Sequence, residues 1–500
     1  PYFIRIGDHA DLTVTPWLGL GNSQTIELRY RQAFRNGRIQ ANGSVTWDEL
    51  TEDNVRGHVF ADGAFDIGND IDLTFRIESV TDDGYLTTYG FPDPDLLESN
   101  IRIARTERDT HFDAGITYFV SLREGESNDT LPTRMADGRY MHRFVPDMLG
   151  GIAELRFDAL GYVRPEDTPG NDADGVPLAT DAARLSAVLD WRRTEVVSGG
   201  LLLTFETALA GDLHAARQDD ESTLNDTEGR ITPYGAVELR YPLQRTGADG
   251  ASHLLEPVIQ IAWSETYGDA VPVEDSAIVE FDEANLFALD RFPGSDRREE
   301  GYRTSLGIGY TRIDPLGWSA GVTAGLVLRA DDLTPFTPGS GLDGRTSDWL
   351  GATHLTLGDD VRVINRALFD SELDFTSNEL ALNWQSPVHH VNTSYTFLEA
   401  DPDEGRDANL SEWALDAGYR FDNDWDAGVN WRYDFAAAEP TRAGLSLGYE
   451  TECIDMEVSV SRRYTTSASL EPATEFGLTV SLNGFGAGGE GRSRARTCRN

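Results

Sequence analysis

The chain is poor in cysteine. Its two, Cys453 and Cys498, are too few for a disulfide scaffold, and neither has zinc-ligand spacing. It has no apolar run of about eighteen residues, so no transmembrane helix is predicted. That absence leaves open a β-barrel, whose strands need only alternate over roughly ten residues. Cations are scarce: 42 Lys and Arg stand against 85 Asp and Glu, a formal charge of −43. Such a balance excludes nucleic acid as a partner, since phosphates must be neutralised by bound cations. No long stretch carries a helical period, no internal repeat is found, and no glycine-rich loop could cradle a nucleotide phosphate. The chain opens on Pro1 without a hydrophobic leader, which reads as a mature product or an excised part of one.

What is present is alternation. Aromatics make up 10% and hydrophobic residues 39%, enough to cover a large surface. Ile26, Leu28 and Tyr30 interleave with Glu27, Arg29 and Arg31. Ile71, Leu73, Phe75 and Ile77 interleave with Asp72, Thr74 and Arg76. The pattern returns at Trp413–Phe421, Trp425–Tyr433, Ile454–Val460 and Phe476–Leu482. A period of two puts the apolar set on one face and the charged set on the other. Roughly 25 such segments, about one per 20 residues, give the density of a membrane barrel, and apolar faces ending in Trp or Tyr suit an interfacial girdle. A barrel of this size has a lumen wide enough for water, which is where the charged face belongs.

Longer connections rich in Asp, Gly, Pro, Asn and Ser are predicted near 82–97, 123–133, 163–179, 213–229, 265–300, 330–348 and 398–409. Each follows an even-numbered strand, whereas a barrel that starts upward from the periplasm places long loops after odd ones. An additional strand before residue 82 would restore the parity and make the total even. The fold class expected is therefore all-β: a large antiparallel transmembrane barrel of about 26 strands with long extracellular loops. A soluble acidic β-protein used for binding remains an alternative on pattern alone.

The apparent chemical motifs are weak. Asn171-Asp172-Ala173-Asp174-Gly175 hints at a calcium loop but lacks the twelfth-position Glu. His389 and His390 face opposite sides of a strand and cannot easily share a metal. His390 and Ser394 share a face but lie roughly 13 Å apart along a strand, too far for a direct hydrogen bond. The acidic pairs pick out no glycosidase dyad. No cofactor, metal site or enzymatic activity is expected.

The stretch Phe281–Arg303 stands apart. Phe281, Asp282, Asn285, Leu286, Phe287, Arg291, Phe292, Gly294, Asp296, Arg297, Gly301 and Arg303 set apolar clusters against charged and glycine positions inside a long connection. An ordinary surface loop is one reading. The other is a resemblance: the segment resembles the signature of the LPS-assembly protein family (LptD), the outer-membrane barrels that deliver lipopolysaccharide to the surface of Gram-negative cells. Asp82-Asp83-Gly84-Tyr85-Leu86, Leu97-Glu98-Ser99, Tyr118–Leu122, Leu131-Pro132, Glu452-Cys453, Ser461-Arg462-Arg463 and Phe476–Gly486 extend it over nearly the whole chain.

The resemblance implies an outer-membrane translocon. Residues 1–486 would form the barrel and 487–500 a flexible periplasmic tail, while the family's periplasmic jellyroll is not in this chain. Pro1 and Pro16 match the prolines that loosen a lateral gate between first and last strands in that family; edge blunting is the plainer reading. Cys453 and Cys498 are disulfide candidates, paired with each other or with the missing domain. The implied partners are lipopolysaccharide, a lipoprotein plug (LptE), a periplasmic bridge (LptA-like) and the barrel-assembly machinery. The competing function is a passive porin or nutrient-transport barrel.

Overall fold

A computed structural model describes the chain except residues 20–22, 50–53, 92–94, 124, 166–180, 218–226, 270, 272, 274, 277, 334–335, 422–423, 452–453, 465–471 and 483–500. Cys453, Cys498, the 171–175 turn and the 487–500 tail lie outside the described residues.

The strands are β1 (Tyr2–Arg5), β2 (Ala10–Leu18), β3 (Gln24–Phe34), β4 (Gly37–Trp47), β5 (Val55–Asp66), β6 (Ile71–Val80), β7 (Leu96–Thr106), β8 (Thr110–Ser121) and β9 (Arg134–Phe144). There follow β10 (Ile152–Val163), β11 (Asp181–Val196), β12 (Leu202–Arg217), β13 (Glu228–Arg240), β14 (Leu243–Thr246), β15 (Ser252–Ser264), β16 (Tyr267–Gly268), β17 (Gly301–Ile313) and β18 (Trp318–Arg329). The last are β19 (Trp349–Leu357), β20 (Val361–Phe369), β21 (Phe375–Gln385), β22 (His389–Leu398), β23 (Leu410–Arg420), β24 (Trp425–Asp434), β25 (Glu439–Glu450), β26 (Ile454–Arg463) and β27 (Ala473–Leu482). One helix, α1 (Tyr85–Tyr89), lies in the β6–β7 connection.

All 27 described strands join one sheet, and every pairing between them is antiparallel, as the alternation requires. Prolines split two of them. β13 and β14 both pair with β15 on either side of Tyr241-Pro242, and β15 and β16 both pair with β13, which carries Pro233 opposite the gap. A residue without an N–H cannot complete the ladder there. Among the described residues the barrel wall thus has 27 − 2 = 25 rungs.

The long connections all lie at one end of the wall, which also carries short ones such as 370–374 and 435–438. One end carries tight turns such as 35–36, 67–70 and 386–388, the longest being 145–151. The other carries 81–95, 122–133, 269–300, 330–348 and 399–409. Long loops mark the extracellular end of outer-membrane barrels. Six strands precede residue 82, and the long connections follow even rungs. The additional strand expected there is absent among the described residues. The connection expected at 213–229 is shorter, because β12 runs on as a strand to Arg217.

The outward face is apolar and exposed: Leu445, Val458 and Leu478 are 60%, 55% and 63% exposed. So much accessible apolar surface is explained by a hydrocarbon surround. Aromatic side chains bound it at both ends. At the short-turn end His389 lies 4.4 Å from Trp384 and 5.8 Å from Tyr419, and Trp425 lies 4.9 Å from Tyr449. At the other end Phe369 meets Phe375 at 4.7 Å and Tyr433 meets Phe435 at 4.9 Å. Trp425 and Tyr433 are eight residues apart on one strand, roughly 26 Å, the height of a membrane girdle.

Candidate functional site: two inward-folded connections

The connection 269–300 turns back into the lumen, where it contains neither helix nor strand among its described residues. Its turns are locally coded. The Asp282 carboxylate accepts from the backbone N–H of Ala284 at 2.8 Å and of Asn285 at 3.2 Å. Asn285 donates to the Glu280 carbonyl at 2.7 Å and accepts from the Asp282 N–H at 3.1 Å. These side chains replace the ladder that a non-strand segment lacks. Gly301, where the connection enters β17, has φ +85°, a conformation that favours glycine.

The apolar members then form a core. Phe281, Leu286 and Phe292 pack with Val279, Val327 of β18, Leu350 of β19, Leu368 of β20, and Phe336 and Leu342 of the 330–348 connection, with Phe287 against the edge. Phe292 stacks on Phe336 at 4.8 Å. The barrel wall makes room with glycine. A methyl at Gly325 would overlap Leu286, and one at Gly307 would stand 2.7 Å from the Phe287 ring. Gly294 is similarly enclosed, 2.6 Å from Asp275 and from Asp296 by the same measure.

Beneath that core lies an ionic cluster. Glu299 is fully buried and receives Arg291 at 2.6 Å, Arg329 at 3.1 Å and Arg303 at 3.8 Å. Each arginine has a second partner: Arg291 donates to the Leu286 carbonyl at 2.7 Å, Arg329 to the Leu342 carbonyl at 2.8 Å, and Arg303 to Ser264 at 2.9 Å and the Leu289 carbonyl. Burial alone pushes the Glu299 carboxyl up, but the three arginines hold it below the usual glutamate range.

The rest of the connection reaches the opposite wall. Asp296 accepts from the Asp275 N–H at 2.6 Å, from Ser276 at 2.5 Å and from the Arg297 N–H at 3.1 Å, and pairs with Arg184 of β11 at 3.4 Å. Arg230 of β13 donates to the Asp296 carbonyl at 2.8 Å. Arg298 pairs with Asp212 of β12 at 2.8 Å and with Asp290 at 3.3 Å, and Tyr234 of β13 donates to Asp290 at 2.9 Å. Burial pushes Asp290 up despite Arg298 and Tyr234, while Arg298 is held above its ordinary value by Tyr234, Asp212 and Asp290 against burial. Glu283 pairs with Arg366 of β20 at 2.9 Å. One connection therefore ties β11 to β20.

The 81–95 connection does the same on a smaller scale. Tyr85 and Leu86 are fully buried with Leu97 against the lumen face. The Tyr85 hydroxyl meets Ser44 at 2.8 Å and Thr46 at 2.6 Å. Arg56 pairs with Asp82 at 2.6 Å and Asp48 at 3.3 Å.

The matching positions of Phe281–Arg303 thus lie within one inward fold. Pro1 and Pro16 lie elsewhere, together: Tyr2 pairs with Val14, which sets Pro1 opposite Thr15. His390 faces the lumen 3.4 Å from Asp416, while His389 joins the outward aromatic belt. No cluster of metal ligands occurs among the described residues. Sequence reading did not single out Glu299, Arg329, Arg184, Asp212 or Tyr234 as partners, because contacts across a lumen leave no local pattern.

A family model described as "LptD: LPS transport system D" matches residues 54–409. The chain belongs to this family. That span contains both inward-folded connections and places the chain among the lipopolysaccharide-transport barrels of the Gram-negative outer membrane. No curated protein matches the sequence. Solved structures similar to this LptD-family barrel include the alcaligin receptor FauA from Bordetella pertussis, at 9% identity and TM-score 0.35, covering 91% of this chain and 73% of that one. Others are the siderophore receptor PirA from Pseudomonas aeruginosa, at 10%, 0.36, 94% and 79%, and the copper transporter OprC, at 13%, 0.37, 94% and 79%.

Proposed function

We propose that this barrel inserts lipopolysaccharide into the outer leaflet through a lateral gate between β1 and β27. The observation that carries the reading is a missing ladder. Successive rungs are joined from β1–β2 to β26–β27, yet no ladder joins β27 to β1 among the described residues. The described ladder of β1 runs from Tyr2↔Val14 to Arg5↔Asp11. Pro1 and Pro16, which have no N–H to donate, stand side by side at its end. A seam with so few backbone bonds opens at lower cost than any other position on the wall.

In this reading the sugar portion moves through the lumen while the acyl chains pass the seam into the membrane. The connection 269–300 braces the wall opposite the seam, so that opening stays local. The lumen face beside the seam is lined by small residues, Gly428, Gly448, Ser459 and Gly477 among them, which leaves room for a lipoprotein plug such as LptE. An LptA-like bridge would supply the substrate from the periplasm, and the barrel-assembly machinery would insert the chain. A Cys453–Cys498 disulfide would pin the tail.

A passive porin or nutrient-transport barrel is the second reading, favoured by the inward-folded connections, which could serve as constriction loops. In-cell photo-crosslinking separates the two. Probes at Thr15 and Ser481 flank the seam, with Trp431 on β24, three strands from β27, as control. Lipopolysaccharide adducts at the seam but not at Trp431 are expected. Their absence everywhere, in protein confirmed in the outer membrane, would overturn the gate in favour of the pore.

A further inference from the structure

At the short-turn end, the lumen face of β23 to β27 carries acids that lack cations. Cross-strand pairing sets Arg420, Asp426, Gly448, Glu457 and Thr479 in one row over these five strands. The Asp426 carboxylate leans over Gly448, where a methyl would collide with it, and so toward the exposed Glu457. Like charges brought together on a sheet repel unless a cation stands between them. The ion pairs nearby go elsewhere: His390 to Asp416 at 3.4 Å and Arg420 to Glu450 at 3.9 Å. Asp426 and Glu457 take part in none among the described residues. The next row toward the periplasm adds Asp455 opposite Glu450. A cavity of about 540 Å³ opens beside the two acids, over a floor that includes Gly418, Gly428 and Ser446. Two carboxylates make no metal centre, and no group of three metal-ligating residues occurs among the described residues.

We infer that this row is the docking site of the chain's own C-terminal segment, Arg492–Arg499. The segment's charge is opposite to the chain's. Arg492, Arg494, Arg496 and Arg499 stand against a single acid, Glu490, across residues 487–500, whereas the whole chain is at −43. Arg492, Arg494 and Arg496 recur with a period of two, so an extended segment presents all three on one side. A guanidinium suits a pair of carboxylates, because its planar fork of donors can bridge them. Reach is not limiting. β27 ends at Leu482 at the same end of the wall, and Ser481 pairs with Asp455 of the acidic rim. From Leu482 to Arg492 there are 492 − 482 = 10 residues. Extended, they span up to about 33 Å, against roughly 10 Å for the two strand spacings from β27 to β25. So placed, the segment clasps the periplasmic ends of β24 to β27 and takes only the edge of the floor beside the seam. The inference does not rest on the passage of lipopolysaccharide.

The test is photo-crosslinking in the full barrel, with a photoreactive residue in place of Ala495. Cys498→Ser is present throughout, so that no disulfide holds the segment. Adducts mapped by mass spectrometry are expected on β24 to β26. Asp426→Asn with Glu457→Gln should lower their yield at least fivefold, as should salt at about 1 M, where the screening length falls to about 3 Å. Asp62→Asn on β5, which lines a separate cavity at the same end, should leave the yield unchanged. Should the carboxylate variants assemble poorly, Arg492→Gln, Arg494→Gln and Arg496→Gln together provide a second route outside the wall, with the same loss expected. Adducts confined to β1–β5 would overturn the site, and adducts confined to membrane lipid would overturn it in favour of headgroup binding by the arginines. So would adducts on β24 to β26 indifferent to the charge variants of both partners, or no adducts at all.

Discussion

The Glu299 carboxylate meets the Arg291 guanidinium at 2.6 Å with both side chains withdrawn from water. Arg303 and Arg329 close the same carboxylate from other strands. Three buried guanidinium groups thus share one buried anion, and each depends on it. Glu299→Gln would leave uncompensated charge and should weaken docking of the 269–300 connection by about 3–5 kcal/mol. Limited proteolysis of that connection in the folded, heat-modifiable barrel reads it. Unchanged protection would show that the apolar core alone holds the fold.

The apolar core makes its own prediction. Leu286 occupies the space that a side chain at Gly325 would fill. Gly325→Ala should displace it and cost about 1–3 kcal/mol. Leu286→Ala in the same chain should then cost less than it does alone, because the new methyl fills part of the gap. Additive losses in a double-mutant cycle of plug protection would contradict the contact.

Acid should test the ionic cluster with a defined sign. The folded Glu299 carboxyl is held below its ordinary range, so its contribution is present above the unfolded value, about 4.3, and is lost only as pH falls through the lower folded value. Asp290 is raised, so its protonation favours the docked form as pH falls. The plug should therefore stay protected through pH 5 and release only in stronger acid. Proteolysis at stepped pH checks this, and release between pH 6 and 5 would refute it.

Much of this was legible beforehand, for a physical reason. A strand between lipid and water must alternate, so Ile26, Leu28 and Tyr30 against Glu27, Arg29 and Arg31 already told outward from lumen. The aromatic ends told the height of the band. Phe281–Arg303 could be seen as a special connection, because phenylalanines between Asp and Arg have no use on an exposed loop. What it binds could not be read: Glu299 takes Arg329 from thirty residues away, and Arg298 reaches Asp212 eighty-six residues back. Glycines such as Gly307 and Gly325 looked like ordinary strand positions until the connection folded over them. The sequence count placed the long connections after even-numbered strands, as the structure does; only the added strand failed, since nothing local states which end of a strand faces the cell.

The smaller plug gives a modest prediction. Tyr85→Phe removes the hydroxyl that meets Ser44 and Thr46, but Ser44 keeps His58 at 2.6 Å and Thr46 keeps Thr25 at 2.7 Å. With those partners retained the loss should be about 0.5–1.5 kcal/mol. Hydrogen exchange should report faster opening around 81–91 while the 269–300 connection stays unchanged. Coupled opening of both would show that the two plugs form one unit.

The seam prediction follows from where ladders stop. The pairing of β2 with β3 runs past Pro16 to Leu18↔Gln24, while no ladder joins β27 to β1 among the described residues. Alanine at Pro1 and Pro16 would supply the N–H groups that this corner lacks. One restored backbone bond is worth about 1 kcal/mol, which lowers the population of an opened seam about fivefold. Lipopolysaccharide adducts from a probe at Ser481 should fall by that factor in the double variant, with barrel assembly and heat-modifiability intact. An unchanged adduct yield would mean that the prolines only blunt an edge, and that the gate, if used, is opened by strain elsewhere in β1.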